Sequence, residues 1–450
     1  LSFYFFNSYQ NIIFTSLQQI SHDMIEEIIF KNVLSFKKET TFSFEATPDT
    51  TFETQHVVTM PNGTRLLKLG IVYGPNAGGK SNLLYAISAL RDFMVFDPQS
   101  MDEPTGFEPF LLDKETPNLP SEYSIKFWVN GIRYWYQLTA TTKLVIHEKL
   151  SYYKTVQPIK VFERVLEDEQ SVLSFNPAVQ KIDQEEQKAL TLNCLPNKSF
   201  FAARGHVNMK MEHVDGVRQW IRNRFMPMVG PFTNMEKYSK RKVREDVNFK
   251  EHLLRFLHQA DFNITGLSEK TEEKPLPPYF HKYLQIQDSL PEDKKKELLT
   301  PETYKEHVLG FEHTVENERG LETYELSTRQ ESDGTTRVMD IEAAIYEAIK
   351  NNSVLILDEI ESSLHPNLIE FILQEYIMNS NESQMLITTH YPGLLNTIDD
   401  LVRKDNIWFV EKDKSGATDL YSLVEFKGLN KISKIERAYR KGQFGALPNI

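Results

Sequence analysis

The stretch Gly74-Pro-Asn-Ala-Gly-Gly-Lys80-Ser81 restricts what this chain can fold into more than any other part of it. It fits the pattern G-x-x-x-x-G-K-[ST] at every fixed position. Such a loop curls successive backbone N–H groups around an oxyanion, which glycine permits because it carries no Cβ. Lys80 is then placed to reach the β- and γ-phosphates of a nucleotide, and the Ser81 hydroxyl to ligate Mg²⁺. The pattern also demands a buried strand before it and a helix after it, whose positive N-terminal end adds to the anion site. Both are readable: RLLKLGIVYG is an apolar run ending in glycine, and SNLLYAISALRDFMVF carries apolar residues at helical spacing. A glycine-rich structural turn, the alternative, would not need that context.

The second half of such a site is a buried strand ending in acid. Val354-Leu-Ile-Leu-Asp358-Glu359 supplies one. Asp358 would hold Mg²⁺ directly or through water, and Glu359 would orient or deprotonate the attacking water. Alone, an apolar strand ending in Asp-Glu is often a strand end meeting solvent; the phosphate loop upstream argues against that here.

Size and composition bound the rest. A chain of 450 residues, 40% hydrophobic, can bury a substantial core in one large domain or two to three smaller ones. A formal net charge of −12 opposes general affinity for nucleic acid, although a local basic groove is compatible with it. The lone Cys194 excludes an internal disulfide and fits a reducing cytoplasm. No apolar run reaches the roughly 20 residues needed to span a bilayer.

Residues 1–23 are read as a fragment artefact, an upstream extension or a weakly ordered tail, with a genuine packing element as the alternative. From Met24 the run IEEIIFKNVLSF alternates like a half-buried strand, and TTFSFEA follows as a second. Residues 24–120 form an expected N-terminal lobe with the phosphate loop. Residues 121–320 are expected to be an inserted β-plus-helical subdomain. It opens with a hairpin and meander around Asn130-Gly131, is mostly helical over 180–305, and breaks at KPLPP. Residues 321–450 form the C-terminal lobe, where strand signals return at ETYELSTRQ. Strands VLILDE and QMLITTH alternate there with the helices RVMDIEAAIYEAIK and NLIEFILQEYIM. The expected fold is α/β, with a mainly parallel central sheet and an N-terminal antiparallel β subdomain.

The ordered motifs resemble those of ABC-type ATPases. Glu331-Ser332-Asp333-Gly334-Thr335 resembles the S-x-G signature that opens a helix. Asp358-Glu359 with Glu361-Ser362-Ser363-Leu364-His365-Pro366 resembles the Walker B and D-loop, and Thr388-Thr389-His390 the switch histidine. The resemblance implies an ABC-type P-loop NTPase head binding ATP and Mg²⁺ and hydrolysing ATP to ADP and phosphate. Gly74, Asn76, Gly79, Lys80, Ser81 and Asn82 would bind nucleotide, and Ser81 and Asp358 the metal. Lys80, Glu359 and His390 would be catalytic, His390 sensing the γ-phosphate. Ser332 and Gly334 would contact nucleotide held by a second copy, which implies a head-to-tail homodimer.

Narrower stretches, including IIFKNVLSFKKETTFSF, KDNIWFVEKDKSGATDLYSL and the ending AYRKGQFGALP, resemble the overcoming-lysogeny-defect (OLD) clade. Within it the match is to the RloA/AbiLi/AriA/PtuA type of anti-phage defence ATPase. That resemblance implies a separate effector subunit, such as a nuclease of Toprim, HNH or RNase type. Two departures stand out. No Q-loop glutamine can be placed, PFLLD at 109–113 occupying that region, and no Toprim domain follows the ATPase core. An SMC-like DNA-binding ATPase is the competing expectation, with KYSKRKVREDVNFK as its best basic stretch. A stand-alone nuclease is disfavoured, because His206, His213, His252 and His258 form no metal-binding pattern.

Overall fold

The computed structural model describes residues 22–447 except 261, 277–278, 280–281, 284–290, 292, 295–302 and 433. The expectations for residues 1–21, and for most of the helical segment PEDKKKELL, lie outside the described residues. The chain divides into two compact units. The first comprises the chain up to Pro231, Glu347–Ser362 and the chain from Ile372; the second comprises Phe232–Tyr346 and Ser363–Phe371.

The first unit opens with β1 (Ile25–Lys31) and β2 (Thr40–Ser43), then a short helix α1 (Glu53–His56) and a small ribbon of β3 (Val57–Thr59) and β4 (Arg65–Leu67). β5 (Leu69–Tyr73) leads through the glycine loop into α2 (Lys80–Val95). A meander follows: β6 (Ser121–Val129), β7 (Ile132–Ala140), β8 (Val145–Tyr153), β9 (Pro158–Glu167) and β10 (Gln170–Phe175). The β6–β7 turn is Asn130-Gly131, with φ of 52° and 73°. Positive φ at both positions matches the right-handed twist of a hairpin, so the expected turn forms where expected.

β1 and β2 do not stand apart from this meander. β1 pairs antiparallel with β6, Phe30 opposite Tyr123, giving one seven-stranded sheet in the order β10-β9-β8-β7-β6-β1-β2. The boundary expected at 120/121 therefore runs through a sheet, a non-local pairing that no local pattern announces. Helices α3 (Gln184–Asn193), α4 (Phe200–Arg204) and α5 (Glu212–Arg224) pack with the same sheet. A fully buried pair, Arg164 and Glu148, anchors them. Glu148 accepts from the Tyr136 hydroxyl (2.9 Å) and the Phe200 N–H (3.0 Å), while Arg164 donates to the Leu195 and Pro196 carbonyls. Removing either partner would strand a buried charge, a loss of roughly 3–5 kcal/mol.

The second unit holds α6 (Glu236–Glu245), α7 (Val247–Gln259) and an antiparallel sheet of β11 (Gly266–Pro275), β12 (Thr303–Asn317) and β13 (Gly320–Ser327). Two of these strands correct the helical expectation for 180–305. β11 reads GLSEKTEEKP and leaves most of its residues exposed, so it carries no apolar alternation to betray a strand. α8 (Asp333–Asn351) starts in this unit and ends in the first.

The remaining strands are β14 (Val354–Leu357), β15 (Gln384–Thr389), β16 (Ile407–Lys412) and β17 (Thr418–Ser422), with α9 (Pro366–Asn379) between β14 and β15 and α10 (Ile435–Arg440) near the end. With β5 they form a five-stranded sheet in the order β14-β15-β5-β16-β17, parallel except for the β16–β17 pair. β5, β14 and β15 are buried at every position, as a parallel sheet requires. On α2, Leu83, Leu84, Ile87 and Leu90 form the buried stripe and join the core cluster that contains Phe127, Tyr136, Val354 and Ile356. Residues 22 and 23, read from sequence with the tail, are already attached: Asp23 is buried and its carboxylate takes the Asn130 N–H at 2.5 Å.

His56 ties α1 to the C-terminal part of the first unit through the Leu401 carbonyl, 2.9 Å from Nε2. Burial pushes its pKa down from 6.5 to about 4. Between those values the unfolded chain binds a proton that the folded chain excludes, so stability falls as pH drops from 6.5 towards 4. The loss attributable to His56 is about 3 kcal/mol at most. Urea unfolding at pH 7 and pH 5 should show a drop in stability that His56→Gln reduces.

Candidate functional site

At its C-terminal end β5 meets β16, and the contact explains Gly74. A Cβ there would lie 2.6 Å from the Val410 carbonyl oxygen. The loop then rises to Gly79, whose φ of 112° only glycine adopts freely, and α2 begins at Lys80. A Cβ on Gly79 would meet the Thr418 hydroxyl at 2.4 Å. Thr418 braces the loop: its hydroxyl lies 3.2 Å from the Gly78 carbonyl and 2.8 Å from the Ser35 hydroxyl. Its N–H donates to the Ser35 carbonyl (2.8 Å), so the segment after β1 and the turn into β17 hold the phosphate loop from behind.

Strand order brings the acidic half of the site alongside. β15 lies between β14 and β5, and Thr388 at its end organises both neighbours. The Thr388 hydroxyl donates to the Asp358 carboxylate (2.5 Å) and accepts the Glu359 N–H (2.8 Å). Asp358 is buried, and its N–H donates to the Val229 carbonyl. Glu359 follows the strand at φ 48°, a left-handed conformation that costs a non-glycine residue free energy. His390 follows β15, its N–H bonded to the Glu361 carboxylate.

These groups line one cavity of about 480 Å³ formed by Asn76–Asn82 together with Glu359, His390 and Lys412. Lys80 donates to the Gly74 and Pro75 carbonyls (3.0 and 3.2 Å) and to His390 Nε2 (2.9 Å). As Nε2 accepts from an ammonium, the imidazole is neutral. Burial lowers the Lys80 pKa, against the opposing pull of Glu359, Glu361 and Asp358. Burial, then the Lys80 charge, lower that of His390. The Glu359 carboxylate stands 3.7 Å from His390 Nε2.

The arrangement thus gathers Asn76, Gly79, Lys80, Ser81, Asn82, Glu359 and His390 on one cavity, with Asp358 and Gly74 directly behind it. Ser332 and Gly334 lie in the second unit, at the start of α8. The Ser332 hydroxyl accepts the Thr335 N–H at 3.1 Å, the geometry of a helix N-cap. A Cβ on Gly334 would sit 3.1 Å from the Ser363 carbonyl, so the start of α8 packs closely against Ser363 within that unit.

Sequence reasoning missed three participants. Thr388 was noticed only as part of the switch motif, and its role depends on a strand pairing that is not local. Thr418 and Lys412 face each other in the β16–β17 ladder, inside the quoted stretch KDNIWFVEKDKSGATDLYSL. That stretch marked them by resemblance without a function. The PFLLD segment at 109–113 contributes no side chain to the cavity lining.

The family described as "AAA domain, putative AbiEii toxin, Type IV TA system" matches residues 71–396, and the chain belongs to it. No curated protein matches the sequence. Similar solved structures include the SMC head domain from Thermotoga maritima, 14% identical, with a TM-score of 0.41 over 88% of this chain and 98% of that one. An SmcHead bound to the C-winged helix domain of ScpA is 12% identical, with a TM-score of 0.38 over 91% and 99%. An Smc head domain with an extended coiled coil, bound to the C-terminal domain of ScpA derived from Pyrococcus furiosus, is 12% identical, with a TM-score of 0.36 over 93% and 100%. The fold is α/β, with the glycine loop joining a strand of the mainly parallel five-stranded sheet to the helix that follows it. Among the described residues no helix is long and apolar enough to cross a membrane, and no cluster of three or more His, Cys, Asp or Glu residues is set to hold a metal by itself.

Gly79 and Gly63 separate loop packing from backbone strain. Both have positive φ, but a Cβ on Gly63 meets nothing within 4 Å. Gly79→Ala should lose roughly 2–4 kcal/mol in urea unfolding, against about 1 kcal/mol for Gly63→Ala. Equal losses would contradict the bracing role of Thr418.

Proposed function

We propose that this AAA-family chain hydrolyses ATP in sites shared between two copies of itself, and that nucleotide state gates a separate effector in anti-phage defence. The observation that carries the hydrolytic part is the convergence of Lys80, Ser81, Glu359 and His390 on one cavity, with Asp358 buried beside it.

The donor set fits the substrate and its metal. Ser81 supplies a hydroxyl and Asp358 a carboxylate oxygen, hard donors of the kind Mg²⁺ takes. Glycines at 74, 78 and 79 let the loop pack against Val410, Pro75 and Thr418, where any Cβ would clash, and a loop curled in this way offers its backbone N–H groups to phosphate oxygens. Bound there, Mg²⁺ would neutralise charge on the β- and γ-phosphate oxygens. Lys80 exchanges its contacts with the loop carbonyls for phosphate oxygens and compensates their charge. Glu359 accepts the proton of the attacking water, whose oxygen forms a bond to the γ-phosphorus as the bond to the leaving ADP oxygen breaks. His390, neutral at pH 7, donates from one ring nitrogen to the γ-phosphate. Thr388 positions Asp358 and Glu359 together.

Completion in trans by Ser332 and Gly334 rests on resemblance and on one physical fact. An N-capped helix start with a close-packed glycine presents backbone N–H groups suited to an anion. The defence role and effector gating, with membership of the OLD-clade RloA/AbiLi/AriA/PtuA type, rest on the resembling stretches alone. A cytoplasmic setting belongs to the same reading. The DNA-clamp alternative has less support, because in α6 Lys240, Lys242 and Arg244 are paired with Glu236, Asp246 and Glu245.

Purified protein should release phosphate from Mg·ATP, and Lys80→Ala should abolish this. Glu359→Gln should retain nucleotide, lose at least about 100-fold in turnover and accumulate an ATP-dependent dimer in sedimentation. Equal turnover by Lys80→Ala and the unaltered protein would defeat the reading.

A further inference from the structure

Lys412 closes β16 and lines the same cavity as the phosphate loop. None of the roles above involves it. Its position is fixed on two sides. On one, β16 approaches β5 so closely that the Val410 carbonyl excludes any side chain at Gly74. On the other, Lys412 stands opposite Thr418, the residue whose hydroxyl reaches the Gly78 carbonyl. The strand that carries Lys412 thus pairs directly with the strand leading into the glycine loop and reaches the far end of the loop through its β17 partner.

The side chain itself is exposed, and among the described residues it makes no ion pair. Its neighbours in sequence are engaged otherwise. The Glu411 carboxylate accepts the Ala446 N–H at 2.8 Å, and Asp413 accepts from Ser415 and Ala417 within its own turn. A flexible ammonium, held at its Cα beside a loop built for oxyanions and left without a carboxylate, has a polyphosphate as its natural partner.

We propose that Lys412 is a nucleotide-binding residue, contacting the polyphosphate of the nucleoside triphosphate as a second cation alongside Lys80. The proposal rests on the ATPase reading above and extends it. The two lysines divide the work by burial. Lys80, buried against the Gly74 and Pro75 carbonyls and facing Glu359 and His390, sits where charge develops during transfer. Lys412, at the open rim, adds ground-state attraction that is equal before and during transfer. Its loss therefore weakens binding without slowing the chemical step.

The test is steady-state kinetics with Mg·ATP, together with competition by inorganic tripolyphosphate, on the unaltered protein, Lys412→Ala and Lys412→Arg. Lys412→Ala should raise KM for Mg·ATP and the tripolyphosphate inhibition constant by about tenfold each, with kcat within about twofold of the original. Lys412→Arg should restore most of both, since it keeps the charge. KM unchanged in Lys412→Ala would overturn the proposal. So would a raised KM with unaltered tripolyphosphate inhibition, which would move the contact to the nucleoside. A fall in kcat matched by a lowered melting temperature would also overturn it, assigning Lys412 to holding the hairpin. If the unaltered protein fails to turn over Mg·ATP, the ATPase reading falls instead.

Discussion

Parallel pairing of β5 with β15 on one side and β16 on the other is the interaction on which the rest of the site depends. Thr389 stands opposite Tyr73, Phe409 opposite the same Tyr73, and Leu357 opposite Ile387. With these strands running in one direction, their C-terminal ends form a single edge. Asp358 and Glu359, His390, Gly74 and Lys412 each fall within a few residues of a strand end on that edge. In open parallel sheets this is where ligands bind, because loops leave the strands there without crossing the covered faces. Chemistry assembled from positions 74 to 412 is therefore a consequence of register.

What the sheet gathers, local packing sharpens. The glycine loop is a rigid object because Thr418 fills the space a Gly79 side chain would need, and because Ser35 holds Thr418 in turn. Thr388 performs the same service for the acids, joining Asp358 to the Glu359 backbone through one hydroxyl. The electrostatics are balanced in the same compact way. Burial disfavours the Lys80 charge while three nearby carboxylates favour it, and burial, then the Lys80 charge, hold the His390 pKa down. Under the proposed function, a polyphosphate would enter this cavity by exchanging internal hydrogen bonds for ligand bonds.

Much of this was legible in the sequence, and what was not has physical reasons. The strand–loop–helix around Gly74–Ser81 is a local pattern whose chemistry is tied to residue type, and the apolar run before Asp358 reads the same way. The α/β class followed from the alternation of such segments. The seven-stranded sheet was harder, because β1 and β6 are separated by the whole glycine loop and α2 and meet only in space. β11 and β12 were missed because their exposed, charged faces remove the alternation that marks a half-buried strand. Lys412 and Thr418 carry no motif; a lysine at a strand end and a threonine in a hairpin acquire meaning only once β16 is known to lie beside β5. His22 and Asp23 fell on the wrong side of a boundary that only their bonds reveal.

Under the proposed function each hydrolytic site would take its phosphate loop from one copy and its signature helix from another, which a single chain cannot supply alone. The direct measurement is phosphate release by a mixture of two disabled variants, Lys80→Ala and Ser332→Arg, each inactive by itself. A mixed pair contains one site with both lesions and one with neither. The account predicts that mixing restores Mg·ATP hydrolysis, rising with the fraction of mixed pairs. A mixture as inactive as its components, with both variants folded and able to associate, would contradict it.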